Sequence, residues 1–314
     1  MTETEKQALS GVCGQPGGRQ ELPGGNRELP GGNRELPFGN RELPIGIFDS
    51  GLGGLTALRE VQRLLPHEDI IYFGDTGRVP YGSRSHETVC RYAEQDMRFL
   101  LSRNVKAVAV ACGTVSANAL PQLQAHFSVP VIGVIEPAVR RALSETKNGV
   151  IGVIATPSTI ASGAYERALH GYDPSVRVVS VPCALFVHLV ENGFIGADDP
   201  IPTLTAERYL QPVLESGADV LILGCTHYPL LRPIIERLLP GVVMVDSGAE
   251  AAHALCGLLS SSGLKRETDV PGRVRCYVSD EPQGFASSAA RFLSVPDGKS
   301  AALPEVSRIE IEQY

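Results

Sequence analysis

Two apolar runs that each end on a cysteine constrain this chain more than any other feature in it. The first is Ala107-Val108-Ala109-Val110-Ala111-Cys112-Gly113-Thr114, and the second is Val220-Leu221-Ile222-Leu223-Gly224-Cys225-Thr226-His227. With the cysteines superposed, 113 positions apart, the next apolar runs superpose as well, Val129–Ile132 on Val242–Val245. Continuous runs of this kind predict strands buried on both faces of a parallel sheet. A residue just past the carboxyl end of such a strand sits at the sheet's functional edge. Two thiols placed there, one per half, can approach one ligand from opposite sides.

The remaining segments alternate strand and helix around these runs. Ile45–Phe48 predicts a first strand, and Asp49-Ser50-Gly51-Leu52-Gly53-Gly54 a tight turn into an amphipathic helix from Leu55 to Leu65. Ile70–Phe73 is the next strand, 74–82 a polar loop, and 85–102 a helix leading to the first cysteine run. Val150–Ala155 opens the second half as Ile45–Phe48 opens the first, and Val176–Val181 follows it. A helix from Ala249, a strand over Arg273–Val278, a helix over Gly284–Leu293 and an alternating edge strand over Val306–Ile311 return to the first half. The predicted class is α/β: two similar Rossmann-like (flavodoxin-like) domains with parallel sheets and an active site in the cleft between them. Residues 45–139 plus 245–314 form the first domain and 140–244 the second. Residues 1–44 stand apart, because Glu21-Leu22-Pro23-Gly24-Gly25-Asn26-Arg27 recurs from Glu28, Glu35 and Glu42. A proline every seven residues opposes helix and sheet alike, so this segment reads as a disordered low-complexity tail.

Composition narrows the function classes. The 314 residues are 43% apolar and 20% charged, which suits a globular chain with two cores. A net charge of −7 offers no basic stripe, so nucleic acid is not an expected partner. The apolar runs are too short and interrupted to cross a bilayer, and the first residues lack the basic and apolar regions of a secretory leader. Seven cysteines without a C-x-x-C pair favour a reducing compartment. The expectation is a cytoplasmic protein with no membrane partner.

Removing a proton from one face of a carbon and returning one to the other needs an acid and a base on opposite sides. Cys112 and Cys225 supply that pair. A free thiol has a pKa of ~8.5 and needs polar neighbours or helix amides to act as a thiolate. A helix start is predicted just after each cysteine, which favours the charged form. Asp49 and His227 stand near the two thiols and can accept or return their protons. Other chemistries fit less well. The G-x-G-G spacing after Asp49 departs from the dinucleotide G-x-G-x-x-G, although Asp75 holds the place of a ribose-binding carboxylate. Zinc on Cys112, Cys225 and His227 lacks a fourth ligand. A Cys–His hydrolase leaves the second cysteine idle. A pyridoxal enzyme needs a pocket lysine, whereas Lys106, Lys147, Lys265 and Lys299 fall in polar or loop-like contexts and Lys6 in the tail. No metal and no cofactor are expected.

Four motifs carry a resemblance: Ile47-Phe48-Asp49-Ser50-Gly51-Leu52-Gly53-Gly54, Val79-Pro80-Tyr81-Gly82, Ala111-Cys112-Gly113-Thr114 and Leu223-Gly224-Cys225-Thr226-His227-Tyr228-Pro229-Leu230-Leu231. In this order, over about residues 45–295, they resemble the glutamate racemase family. The resemblance implies cofactor-independent racemisation of L- and D-glutamate, supplying D-glutamate for peptidoglycan, with Cys112 and Cys225 as paired base and acid. Asp49, His227 and Glu191 would assist proton transfer. Asp49, Ser50, Tyr81, Gly82, Gly113, Thr114, Thr226 and His227 would contact the substrate, with Ser83 and the Thr156/Thr159 loop adding to them. The family's usual Asn between the first cysteine and threonine is Gly113 here, which removes a side-chain contact to a carboxylate. The implied partner is a small molecule, glutamate, and the resemblance leaves room for a homodimer. Two rival readings stay open: a related racemase acting on aspartate or a hydantoin, and a non-catalytic amino-acid-binding homologue.

Overall fold

The computed structural model describes residues 40–294 and 305–314. The first half runs β1 (Ile45–Asp49), α1 (Leu55–Leu64), β2 (Ile70–Gly74), α2 (His86–Ser102), β3 (Ala107–Val110), α3 (Gly113–Asn118), α4 (Leu120–His126), β4 (Val131–Gly133) and α5 (Ile135–Glu145). The second runs β5 (Val150–Ala155), α6 (Pro157–Ala161), α7 (Ala164–Tyr172), β6 (Arg177–Pro182), α8 (Ala184–Glu191), α9 (Pro200–Ser216), β7 (Val220–Leu223), α10 (Arg232–Leu238) and β8 (Val243–Asp246). The chain then returns through α11 (Ser247–Ser261), β9 (Val274–Val278), α12 (Pro282–Leu293) and β10 (Glu305–Arg308).

The strands form two parallel sheets, ordered β10-β9-β2-β1-β3-β4 and β6-β5-β7-β8. Both contain the same four-strand order, second-first-third-fourth. β1, β3 and β7 are buried along their whole length, because helices cover both faces and leave no place for alternating polar residues. The helices have local causes. Ser85 caps α2 by accepting from the Thr88 amide, and Asp246 caps α11 by accepting from Gly248 and Ala249. Gly217, at φ +70°, ends α9 in the left-handed conformation. α1 buries Leu55, Leu58 and Val61 at helical spacing, and α11 packs on both α1 and α5.

In this strand order the connections reverse between the first and third strands. Ligand crevices in open α/β sheets form at that point, beyond the carboxyl ends. The crevice of the first sheet lies at Asp49 and Cys112, and that of the second at Thr156 and Cys225.

Several expectations need correction. The expected divisions at 139/140 and 244/245 fall inside α5 and inside β8, and β8 pairs with β7, so residues 245 and 246 belong to the second sheet. Most of the heptad-repeat tail, 1–39, lies outside the described residues. Its end does not fit a disordered reading. Arg41 and Glu42 pair with Glu267 at 2.5 Å and Arg266 at 2.8 Å, and the Arg41 carbonyl accepts from Lys106 Nζ at 2.6 Å. Lys106, in the connection before β3, is itself buried and paired with Glu68 rather than exposed. The final segment is shorter than expected: β10 stops at Arg308, and Ile311 turns into the core.

Candidate active site

Asp49 closes β1 and is buried where the chain turns back over it. Its Oδ2 accepts from the amides of Gly51 at 3.1 Å and Gly54 at 3.0 Å, which shapes the turn. The glycines are needed for a second reason. A Cβ on Gly53 would lie 2.4 Å from His227 Nδ1 and Thr226 Oγ1, so the loop of the second half presses directly on this turn. Thr56 Oγ1 ties the two together by donating to the Thr226 carbonyl at 2.8 Å.

Cys112 is the residue before α3, with its Sγ 3.6 Å from Ser50 Oγ. Burial first, and the Asp49 carboxylate second, push its thiol up to about 12, against the Val115 amide and the Ser50 hydroxyl and amide. The helix start was expected to favour the thiolate here. Desolvation of a buried sulfur outweighs the amides of one short helix. After Cys225 the chain enters a 3₁₀ turn over Tyr228–Leu231, and α10 begins only at Arg232, so the expected helix start is displaced. The neighbour of this thiol is a side chain. Cys225 Sγ lies 3.7 Å from His227 Nδ1, and His227 Nε2 lies 3.1 Å from Glu191 Oε1. Burial works against a charged His227, but hydrogen bonds and charge from Cys225 and Glu191 win and raise it to about 10. Burial likewise opposes ionisation of Glu191, and His227 overcomes it and lowers that carboxyl below its ordinary value. Arg291 Nη1 holds the end of α8 by donating to the Glu191 carbonyl at 2.8 Å.

These groups surround a cavity of about 270 Å³, a size suited to an amino-acid-sized ligand rather than a dinucleotide. Of the site residues named from the sequence, Cys112, Cys225, Asp49, His227 and Glu191 border it, together with Ser50, Tyr81, Gly82, Gly113, Thr114 and Thr226. Ser83 and Thr156 border it too. Thr159 stands behind, 2.9 Å from Thr156 Oγ1, which in turn meets Thr114 Oγ1 at 3.0 Å. Tyr81 offers less than expected, because its hydroxyl is bonded to Asp75 and Asp96. Asp75, the ribose-binding candidate, is fully buried in that same cluster. Among the described residues, no group of three or more His, Cys, Asp or Glu is arranged to hold a metal ion.

Sequence reasoning missed the wall made by Ala184, Val187 and His188. The signal was available, since these positions and Glu191 follow helical spacing on one face of α8. Gly113 also gains a reason. A Cβ there would sit 2.5 Å from the Gly224 carbonyl oxygen, so the two cysteine loops meet at a point that has room only for glycine.

The Asp/Glu/hydantoin racemase family profile matches residues 55–255. A glutamate racemase of Geobacter metallireducens is 48% identical over 83% of this chain and 95% of its own length. The crystal structure of glutamate racemase from Francisella tularensis in complex with D-glutamate superposes with a TM-score of 0.80 at 38% identity, covering 87% of this chain and all of that one. The aspartate racemase of Picrophilus torridus, at 19% identity and a TM-score of 0.52 over 72% of this chain and 96% of its own, shares the fold alone.

Proposed function

The chain belongs to the Asp/Glu/hydantoin racemase family, and from that premise we propose that it interconverts L- and D-glutamate without a cofactor, Cys112 and Cys225 serving as paired acid and base. The observation that carries this reading is one cysteine from each sheet, at equivalent strand ends, bordering one cavity. Glutamate is favoured over aspartate by the 48% and 38% identities to glutamate racemases.

The α-hydrogen of an amino acid is far too weakly acidic for a thiolate in bulk water. The site therefore has to bind the carboxylate through fixed donors and exclude solvent as carbanionic charge develops. Ser50, Thr114 and Thr226 supply hydroxyl groups, and Gly113 supplies a backbone amide with no side chain in front of it. Asp49 takes the α-ammonium. That pairing has a further consequence: a cation on Asp49 offsets the negative charge that burdens the Cys112 thiol, so substrate binding eases its deprotonation. On the other side, protonated His227 aims Nδ1–H at Cys225, with Glu191 holding its far nitrogen. By the family resemblance, Cys112 takes the proton from D-glutamate and Cys225 takes it from L-glutamate. The product would feed peptidoglycan synthesis in the cytoplasm, and a homodimer is the proposed assembly.

The test is loss of optical rotation from L- and D-glutamate, aspartate and a hydantoin, each incubated with purified protein and no added cofactor. Interconversion of glutamate alone is the expected result. Turnover of aspartate or the hydantoin instead would reassign the substrate, and binding without turnover would make the protein a non-catalytic homologue. In heavy water, product should gain label at the α-carbon before the substrate pool does. Equal early labelling of both enantiomers would point to a single base.

A further inference from the structure

Behind the cavity wall lies a charged cluster that the racemisation chemistry leaves unused. Asp75, just past β2, and Asp96, on α2, are both fully buried. One guanidinium serves both. Arg78 Nε lies 2.6 Å from Asp75 Oδ2, and its Nη2 lies 3.0 Å from Asp96 Oδ1. Its Nη1 donates to Gln95 Oε1 at 2.6 Å, and its plane stacks 4.1 Å over the Tyr92 ring. The Tyr81 hydroxyl reaches both carboxylates, lying 3.2 Å from Asp96 Oδ2. Ser279 Oγ, at the end of β9, donates to Asp75 Oδ1 at 2.7 Å and accepts from the Gly77 amide at 2.8 Å.

Two carboxylates and one guanidinium would leave a net negative charge in a dry interior, which is costly unless a proton is taken up. Arg78 and Tyr81 reach both carboxylates, but Asp75 alone also accepts from Ser279, so the proton falls to Asp96. Burial, then Asp75, raise Asp96 well above the ordinary carboxyl range; Asp49 adds to the rise, while Arg78 and Tyr81 oppose it. What the cluster holds is the chain between Arg78 and Tyr81. Residues 79–83 all border the cavity, and both ends of this wall's first turn are fastened to the buried pair.

We infer that Asp96, with Arg78 and Asp75, forms a set of positioning residues for the proposed reaction, a buried anchor that holds wall segment 79–83, and with it Tyr81 and Gly82, against the substrate. This rests on the reading that Tyr81 and Gly82 face glutamate. The test compares Asp96→Asn, Asp96→Ala and Arg78→Met in racemisation kinetics, with calorimetric D-glutamate binding and melting temperature alongside. Asp96→Asn preserves shape and neutrality and should keep KM within about twofold of the parent. Asp96→Ala and Arg78→Met should raise KM and the calorimetric Kd about tenfold while kcat stays within about threefold, the signature of lost positioning in ground and transition states alike. A KM unchanged by Asp96→Ala, or Asp96→Asn as damaging as Asp96→Ala, overturns the inference. If Arg78→Met does not fold, the two Asp96 variants decide alone. A parent protein that binds D-glutamate without racemising it overturns the proposed function instead, and the Kd comparison still reads the anchor.

Discussion

The Cys112 and Cys225 ends of the molecule share a topology and differ in almost everything else. Each cysteine follows the third strand of a second-first-third-fourth parallel sheet, and each is nearly inaccessible. Cys112 precedes an α-helix, and burial first and the Asp49 carboxylate second hold its proton tightly, up to about 12. Cys225 precedes a 3₁₀ turn and has a cationic imidazole, itself anchored by Glu191. The lesson is that the fold sets where a thiol stands, while the side chains around it set the electrostatic surroundings it meets. At the place where the first half has Asp49, the second has Ala155, and no counterpart of His227 follows Cys112.

The harshest way to break this comparison is to remove each thiol in turn. Cys112→Ala and Cys225→Ala should each lower kcat/KM by about 10²–10⁴-fold for both enantiomers, as expected when a general acid or base is lost. Substantial turnover surviving in either variant would end the two-thiol reading. Separating the two ends should cost less. Gly113→Ala sets a methyl group against the Gly224 carbonyl and forces the cysteine loops apart, so kcat should fall about tenfold, and melting temperature should fall with it because overpacking costs about 1–3 kcal/mol. Unaltered kcat would mean that the loops move freely.

A finer comparison removes one helper from each end. The enantiomers have equal free energies in an achiral solvent, so kcat/KM must fall equally in both directions, and only the limiting step can become asymmetric. Asp49→Asn should enlarge the primary isotope effect with α-deuterated D-glutamate relative to the L form, and His227→Asn should do the reverse. Asp49→Asn should also speed alkylation of Cys112, since removing the adjacent charge loosens the thiol proton. Parallel shifts in both isotope effects would refute one helper per thiol. The smallest expected effect is on stability. His227 is raised from 6.5 to about 10 on folding, so its stabilising contribution is complete below pH 6.5 and declines as pH rises through 10. His227→Gln should therefore flatten the fall in melting temperature between those pH values, and an unchanged slope would show that the imidazole is not held protonated.

By itself the sequence determined the doubled α/β plan and the two thiols. Buried parallel strands demand continuous apolar runs, and a repeated run ending on cysteine is visible without any contact being known. The Asp49–Gly54 turn was legible for a similar local reason, while Glu191, Tyr81 and Thr114 came from motif resemblance alone. Tertiary structure decided what each group faces. Glu191 lies 36 positions before His227 and meets it only because α8 packs beside the second sheet's crevice. Tyr81 turns its hydroxyl away from the cavity onto Asp75 and Asp96, which a motif cannot reveal. Lys106 reads as an ordinary loop lysine, and only the packing of the connection before β3 shows it buried beside Glu68. Proton affinity belongs to the same class. Local sequence supplied helix amides for Cys112, but burial and a carboxylate from another strand outweigh them, because desolvation and charge act through space rather than along the chain.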